Sequence, residues 1–309
     1  MKKKLIFLCF IVFIGYVLLC PGDAIAAAGN GLVLWYEKVL PTLLPFAIVS
    51  NILIYSNYLQ YLTRLFAPIL SPVFSVSGNG AFVLLSGFLF GFPMGSKNCA
   101  ELLKNHAISQ AEADVLFVIS NNISPIFISS YILCRQLALP HLILPSYALL
   151  YGPPLVCGFL LLRRDRSDKN YINMPASGSQ MNFKIIDAGI MNGFDTLARL
   201  GGYIMLFSML ASLLGKLPLR PEFTLLATGI LELTNGIDCL SAYSGSLQMK
   251  YVLAMAFTAF GGLSGIAQTS SMIRDTSLSI RHYCILKGIC TGISTLLACL
   301  VAESRLFIF

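Results

Sequence analysis

The sequence predicts an all-α, polytopic integral membrane protein of two inverted repeats, each with a re-entrant hairpin and discontinuous helices. Composition is the first reason: 56% of the 309 residues are hydrophobic and 11% are charged, with a mean hydropathy of +0.77, outside the range of soluble domains. The second is the spread of apolar runs from end to end, with room for roughly seven or eight spans at about 20 residues each. The third is that several runs are interrupted by Pro, Gly, Asn or Lys without leaving apolar surroundings, as in GFLFGFPMGSKN at 87–98.

Other classes find little support. The formal net charge of +7 does not indicate nucleic acid, because the basic residues gather at segment ends, Lys2 to Lys4 and Arg163, Arg164 and Arg166, where they mark cytoplasmic ends. Nine cysteines are scattered without metal-ligand or disulfide spacing and read as small apolar packing residues. His106, His141 and His282 make no ligand set. With no Ser/His/Asp constellation and no glycine loop followed by GK[ST], the chain is expected to be no enzyme and to need no metal or cofactor.

Residues 1–30 have the three-part form of a secretory signal: KKK, an apolar run from Leu5 to Cys20, and DAIAAAG with an Ala-Ile-Ala cleavage candidate. Either a cleaved signal or an uncleaved first span fits, and both start the chain inside. The first repeat, 31–162, opens with GLVLWYEKVLPTLLPFAIVSNILIY, where Trp35 and Tyr36 sit as interfacial aromatics, Glu37 and Lys38 as interfacial charges, and Pro41 and Pro45 cap or kink the helix. The apolar stretch 80–92 is short for a span and is followed by polar sequence. It therefore suits a re-entrant hairpin with GFPMGSKN at its tip, tolerated at depth only where protein covers it or it lines a wet cavity.

Ser109 and Glu112 then fit a capping box for the next helix. Pro125 removes a donor and disfavours helix at Ser124, so NNISP divides that segment into two half-helices, with Asn121, Asn122 and Ser124 at the break. Residues 139–162 cross back and end in basic sequence, which places the polar linker 163–182 in the cytoplasm.

The second repeat, 183–309, echoes the first. KVLPTLLPFAIVSNIL (38–53) lines up with ARLGGYIMLFSMLASL (198–213), and GFPMGSKN (91–98) with GGLSGIAQ (261–268). The segment at 32–58 runs inward, whereas that at 197–215 leaves the linker and runs outward, which makes the repeat inverted. In such transporters substrate sites lie where discontinuous helices meet. The second unit breaks at LELTNGIDC (231–239) and GGLSGIAQTSS (261–271), with Glu232, Asn235, Gln268, Thr269 and Ser270 as polar members. Arg199 reads as an interfacial anchor.

The run GLVLWYEKVLPTLLPFAI, then GFLFGFPMGSKNCAELLKNHAISQAEADVLFVISNNISP, then ELTNGI and FGGLSGIAQ resembles in order the sporulation integral membrane protein YlbJ (SpoVV) family. That family belongs to a wider group with nucleoside-recognition or Gate domains. The resemblance covers about 31 to 300 and implies movement of dipicolinic acid across the outer forespore membrane of a sporulating bacterium. A nucleoside-like solute, or a non-transporting scaffold for spore maturation, are the alternatives.

A pyridine dicarboxylate carries two negative charges, and half-helix N-termini offer unpaired N–H groups and a positive dipole end to it. Lys97 would supply electrostatic attraction; Asn98, Asn121, Asn122 and Ser124, with Asn235, Gln268 and Thr269 from the second repeat, would supply hydrogen bonds. Glu232 is the candidate for proton coupling, since an acid at membrane depth is costly unless partnered or functional. Two plainer readings stand beside these. Lys97 can snorkel to the interface with Glu101 and Lys104, and Asn121 and Asn122 can simply satisfy backbone freed by Pro125. The expected partners are the bilayer and the small-molecule cargo, with oligomerisation open.

Overall fold

The computed structural model describes residues 2–56, 58–164 and 181–307, and among these it is helical without strands. Most of the 163–182 linker lies outside the described residues. Helix α1 spans Lys2–Leu19 and α2 Pro21–Leu34, with Pro21 in the first turn where a missing N–H costs nothing. A π-helical turn, Trp35–Val39, carries α2 into α3, Leu40–Tyr55, so 21–55 forms a single 35-residue apolar span. The wide turn stands directly before Pro41, which cannot donate back to the preceding turn. The segment boundary read at residue 30 thus falls inside a continuous helix.

Helix α4, Leu59–Phe74, meets α5, Gly78–Phe90, at 93°. Next come α6, Met94–Lys104, and α7, Gln110–Ile119; a π-helical segment, Phe127–Gln136, follows, and then α8, Ile143–Arg164. The remaining elements are α9, Phe183–Gly215; α10, Pro221–Leu231; α11, Leu233–Ala242; α12, Leu247–Phe260; α13, Gly262–Met272; and α14, Ile280–Glu303.

Among the described residues, five helices are long and apolar enough to cross a bilayer, or six if the bent α4–α5 pair counts as one span. This is fewer than the seven or eight expected. Helices such as α6, α7, α10 and α11 are only 10 or 11 residues long, too short to cross alone. Apolar sequence that simple counting assigns to whole spans is used for these half-helices. The fold class read from composition is therefore found, with more of the chain in broken helices than expected.

Close packing against α9 depends on small residues. A Cβ at Gly189 would lie 2.5 Å from Ile52, one at Gly193 2.9 Å from Ile48, and one at Gly201 2.9 Å from Trp35. Their spacing by multiples of four puts them on one face, where α2 and α3 approach closely, as small residues allow between membrane helices. Trp35 Nε1 then donates to Leu197 O at 2.7 Å, fixing the π-turn against α9. On the outer side of the bundle, α14 shows Ile285, Ile289, Ile293, Leu296 and Leu300 exposed, a stripe suited to lipid.

The two halves share their cores. Ile273, Leu278 and Tyr283 belong to the cluster built on α5 and α7, and the π-helical segment and α8 pack in the cluster of α10–α12 and α14.

Candidate functional site

Four interruptions of helix meet in the middle of the molecule. The first follows Phe90, where Gly91 adopts φ +74° and the Phe92–Pro93 peptide is cis. Only glycine suits Gly91, because its φ is left-handed and a Cβ would come within 2.6 Å of Ser124 N. The tip of the first break is thereby pressed onto the second. Gly87 and Gly95, on the two arms of the hairpin, both back onto Ser120 O, which a Cβ at either would approach to 2.1 Å.

At the second break, Ser120–Ser124, most carbonyl oxygens have partners. Ile119 O accepts from Asn122 Nδ2 at 2.7 Å and Asn121 O from Lys287 Nζ at 3.1 Å. Asn122 O accepts from Phe92 N at 2.6 Å and Ser124 O from Ile128 N at 3.2 Å. Tyr151 OH reaches Ile123 O at 2.6 Å, and Tyr147 OH reaches Pro125 O at 2.9 Å. Non-helical backbone away from water is stable only with such partners, and here side chains from α8 and α14 provide three of the six.

The third break is the single extended residue Glu232 between α10 and α11, φ −147° and ψ 124°. Its Oε2 accepts from Asn235 N at 2.8 Å, capping α11 and meeting the positive end of that half-helix. At the fourth break, Gly261 and Gly262 take φ +77° and +74°, and Gly262 lies against the third break, where a Cβ would be 3.1 Å from Leu231 O. Each half thus holds two breaks in mutual contact.

A cavity of about 150 Å³ lies where the four breaks converge. Phe92 borders it from the first break, Ile123 and Ser124 from the second, Glu232 to Thr234 from the third, and Gly261, Ser264, Gly265 and Gln268 from the fourth. Phe90 and Phe127 add apolar wall, and exposed Lys38 and Thr42, beyond the π-turn, complete the rim. The first turn of α13 borders the cavity without a side-chain cap. Gln268 is 4% exposed; its Nε2 donates to Ser264 Oγ at 2.8 Å, and its Oε1 accepts no hydrogen bond from the described residues.

Three residues predicted from sequence therefore line the cavity: Ser124, Glu232 and Gln268. The others stand behind it. Asn121 is the centre of a buried network: its Oδ1 accepts from Ser96 Oγ at 3.0 Å, and its Nδ2 donates to Thr269 Oγ1 at 2.8 Å and Tyr283 OH at 3.1 Å. Asn122 Oδ1 accepts from Lys287 Nζ at 3.1 Å. Asn98 Nδ2 donates to Ser86 Oγ at 3.0 Å, and Asn235 Nδ2 to Ser208 Oγ at 3.3 Å. Lys97 does not snorkel: it is 5% exposed, and its Nζ donates to Asn51 Oδ1 at 2.9 Å. Glu112 is buried and its carboxylate accepts from Ser77 N at 2.6 Å, tying α7 to the start of α5.

Sequence reading assigned Lys38 to the interface and passed over Thr42, Thr234, Ser264 and Lys287. A signal existed for Lys287, a lone cation within the apolar run ILKGICTGISTLL. None existed for Lys38, whose place beside the cavity follows from the packing of α2 and α3 on α9.

Broken helices closing on a largely apolar cavity with a few polar groups, within an apolar bundle, define a multi-pass integral membrane protein. Residues 37–138 match the family model Gate, nucleoside recognition. It is 26% identical to the sporulation integral membrane protein YlbJ of Bacillus subtilis (strain 168), over 332 aligned positions covering 93% of this chain and 80% of that protein. The resemblance read from the motifs stands on this match. No solved structure matches the chain.

Proposed function

We propose that the chain is a transporter of a small organic anion, with dipicolinate as its cargo in the outer forespore membrane of a sporulating cell. The observation that carries the reading is the convergence of all four helix breaks on one cavity, the arrangement by which transporters place a substrate between half-helices. The uncapped first turn of α13 and the ammonium of Lys38 attract carboxylate. Phe90, Phe92 and Phe127 offer faces for a planar ring. Ser124, Ser264 and Gln268 supply hydrogen bonds, while Asn121, Asn122 and Lys287 hold the break that carries Ser124. The two-per-half arrangement of breaks supports an inverted repeat as the moving unit, and similarity to a sporulation membrane protein supports the setting.

One observation favours a second reading. Among the described residues Glu232 is the sole acid bordering the cavity, and a carboxylate is a better acceptor for sugar hydroxyls than a neighbour for a dianion. With Gln268 free to pair with a base edge, a nucleoside-like solute fits the same walls. Binding and flux in proteoliposomes, with dipicolinate against nucleosides, decide between them. Dipicolinate flux supports the first reading and nucleoside flux alone promotes the second. Neither, from well-folded protein, leaves a membrane scaffold.

A further inference from the structure

Glu37 and Lys38 are charged, exposed and far from either end of their helix. They lie in the π-helical turn of the single span 21–55, where seventeen residues separate Lys38 from Pro21 and seventeen from Tyr55. At 1.5 Å per residue that is about 25 Å along the helix on each side, against a hydrocarbon core about 30 Å thick. The same turn packs on Leu197, near the middle of α9, and Lys38 borders the cavity at the level of the four breaks. Both side chains are exposed, and neither makes a hydrogen bond or ion pair with any described residue. Charges at that depth are costly against acyl chains, so such side chains face protein or a water-filled space.

The exposure follows a pattern. Ala26, Asn30, Val33 and Glu37 succeed one another at helical spacing and all are exposed, Val33 by 52%. This face lies beside the one that packs on α9, where Ala24, Ala27 and Gly31 are buried. By contrast, the exposed stripe of α14 is aliphatic throughout, as a surface bathed in lipid should be. Next to Glu37, residues Leu34, Lys38 and Thr42 form one edge of the cavity, and Lys38 and Thr42 are exposed there. A body laid on the polar face therefore also closes that edge.

We infer that this face is a two-fold contact between two copies of the chain in the membrane, with Glu37 of each copy paired to Lys38 of the other. Charge selects the occupant. The distribution of Lys and Arg inserts every copy in the same direction, so the symmetry axis lies along the bilayer normal and equal residues stand at equal depth. Glu37 and Lys38 differ in height by only about 1.5 Å, so carboxylate meets ammonium twice across the axis. Lipid tails offer no charge at that level, whereas a second copy brings the complementary pair with it. Small Ala26 lets the two helices approach. With three N–H donors, Lys38 holds the neighbouring carboxylate and still faces the cavity.

The test uses the full chain carrying one fluorophore, reconstituted in liposomes at falling protein-to-lipid ratios, with single-molecule photobleaching steps counting the copies. Wild-type protein is expected to remain paired. Glu37→Lys and Lys38→Glu, each placing like charges in contact, are expected to weaken association at least about tenfold. The chain carrying both substitutions restores the pair with its signs exchanged and is expected to recover association. In a cysteine-free background, a short bifunctional maleimide should join Val33→Cys copies and leave Leu296→Cys copies, on the α14 stripe, unjoined. Wild-type monomers at every dilution overturn the inference and leave the face to water or lipid. Joining through Leu296→Cys but not Val33→Cys also overturns it, as does association indifferent to both single charge reversals or a double reversal that stays monomeric. If the charge variants fail to insert, Val33→Trp replaces them: its bulk lies on an exposed position, loss of pairing is expected, and unaltered pairing overturns the contact. None of these readouts involves cargo, so their failure leaves the transport reading standing.

Discussion

Glu232 caps α11 with one carboxylate oxygen and borders the cavity, so its replacement by Gln separates the two cargo readings. Removing the charge relieves repulsion of a dianion and tightens dipicolinate binding on the order of tenfold. For a nucleoside the same change loses a charged acceptor worth about 1.5–3 kcal/mol and weakens binding. Equilibrium binding of both ligands to the purified variant reads the difference, and an unchanged affinity for both removes Glu232 from the site. Asn121→Leu tests the network behind the cavity. It leaves Ser96, Thr269 and Tyr283 hydroxyls short of a partner, so a loss of about 1–3 kcal/mol is expected in thermal or denaturant unfolding. Sequence reading found Asn121 and Glu232 because a polar side chain inside an apolar run draws attention wherever it sits. Which of them touches the cavity was not legible, since that depends on how each break is turned by its packing partners, which for Asn121 include Thr269, 148 residues away.

At the scale of elements, the breaks themselves were legible. Pro93, Pro125 and the Gly261–Gly262 pair disrupt helix by local chemistry that needs no tertiary information. The contacts between breaks were not, and they set the tolerance of the hairpin. Gly95→Ala would push a Cβ to 2.1 Å from Ser120 O, on rigid backbone that cannot yield. A cost of about 3 kcal/mol or more is expected, at the upper end for overpacking. Gly152→Ala in α8 is the control: nothing lies within 4 Å of its Cβ, and the better helix former should be neutral or stabilising by up to about 1 kcal/mol. Equal unfolding midpoints for the two variants would count against the close approach of α6 to α7. The half-helices also explain why span counting overshot, since hydropathy cannot tell one crossing from two stubs that face each other.

For the whole molecule, the proposal of an inverted arrangement places the 163–182 segment in the cytoplasm. In a cysteine-free background, single cysteines there should react with a membrane-impermeant thiol reagent from the inner side only; labelling from outside would contradict the arrangement. Thr42→Cys, exposed at the rim of the cavity, should be labelled and then protected by bound cargo. Ala113→Cys, fully buried, should resist labelling with or without it.

The sharing of cores between halves also bears on how the chain is made. Asn121 Nδ2 finds its partner in Thr269, 148 positions downstream, and the carbonyl of the same residue waits for Lys287, 166 positions on. At about 5–20 residues per second of synthesis, the amide of Asn121 spends about 7–30 s in the membrane before its partner emerges from the ribosome. During that interval the first half holds an unfinished polar centre in lipid. Its survival then depends on the insertion machinery shielding it, and a chain arrested before α13 would be an early substrate for membrane quality control.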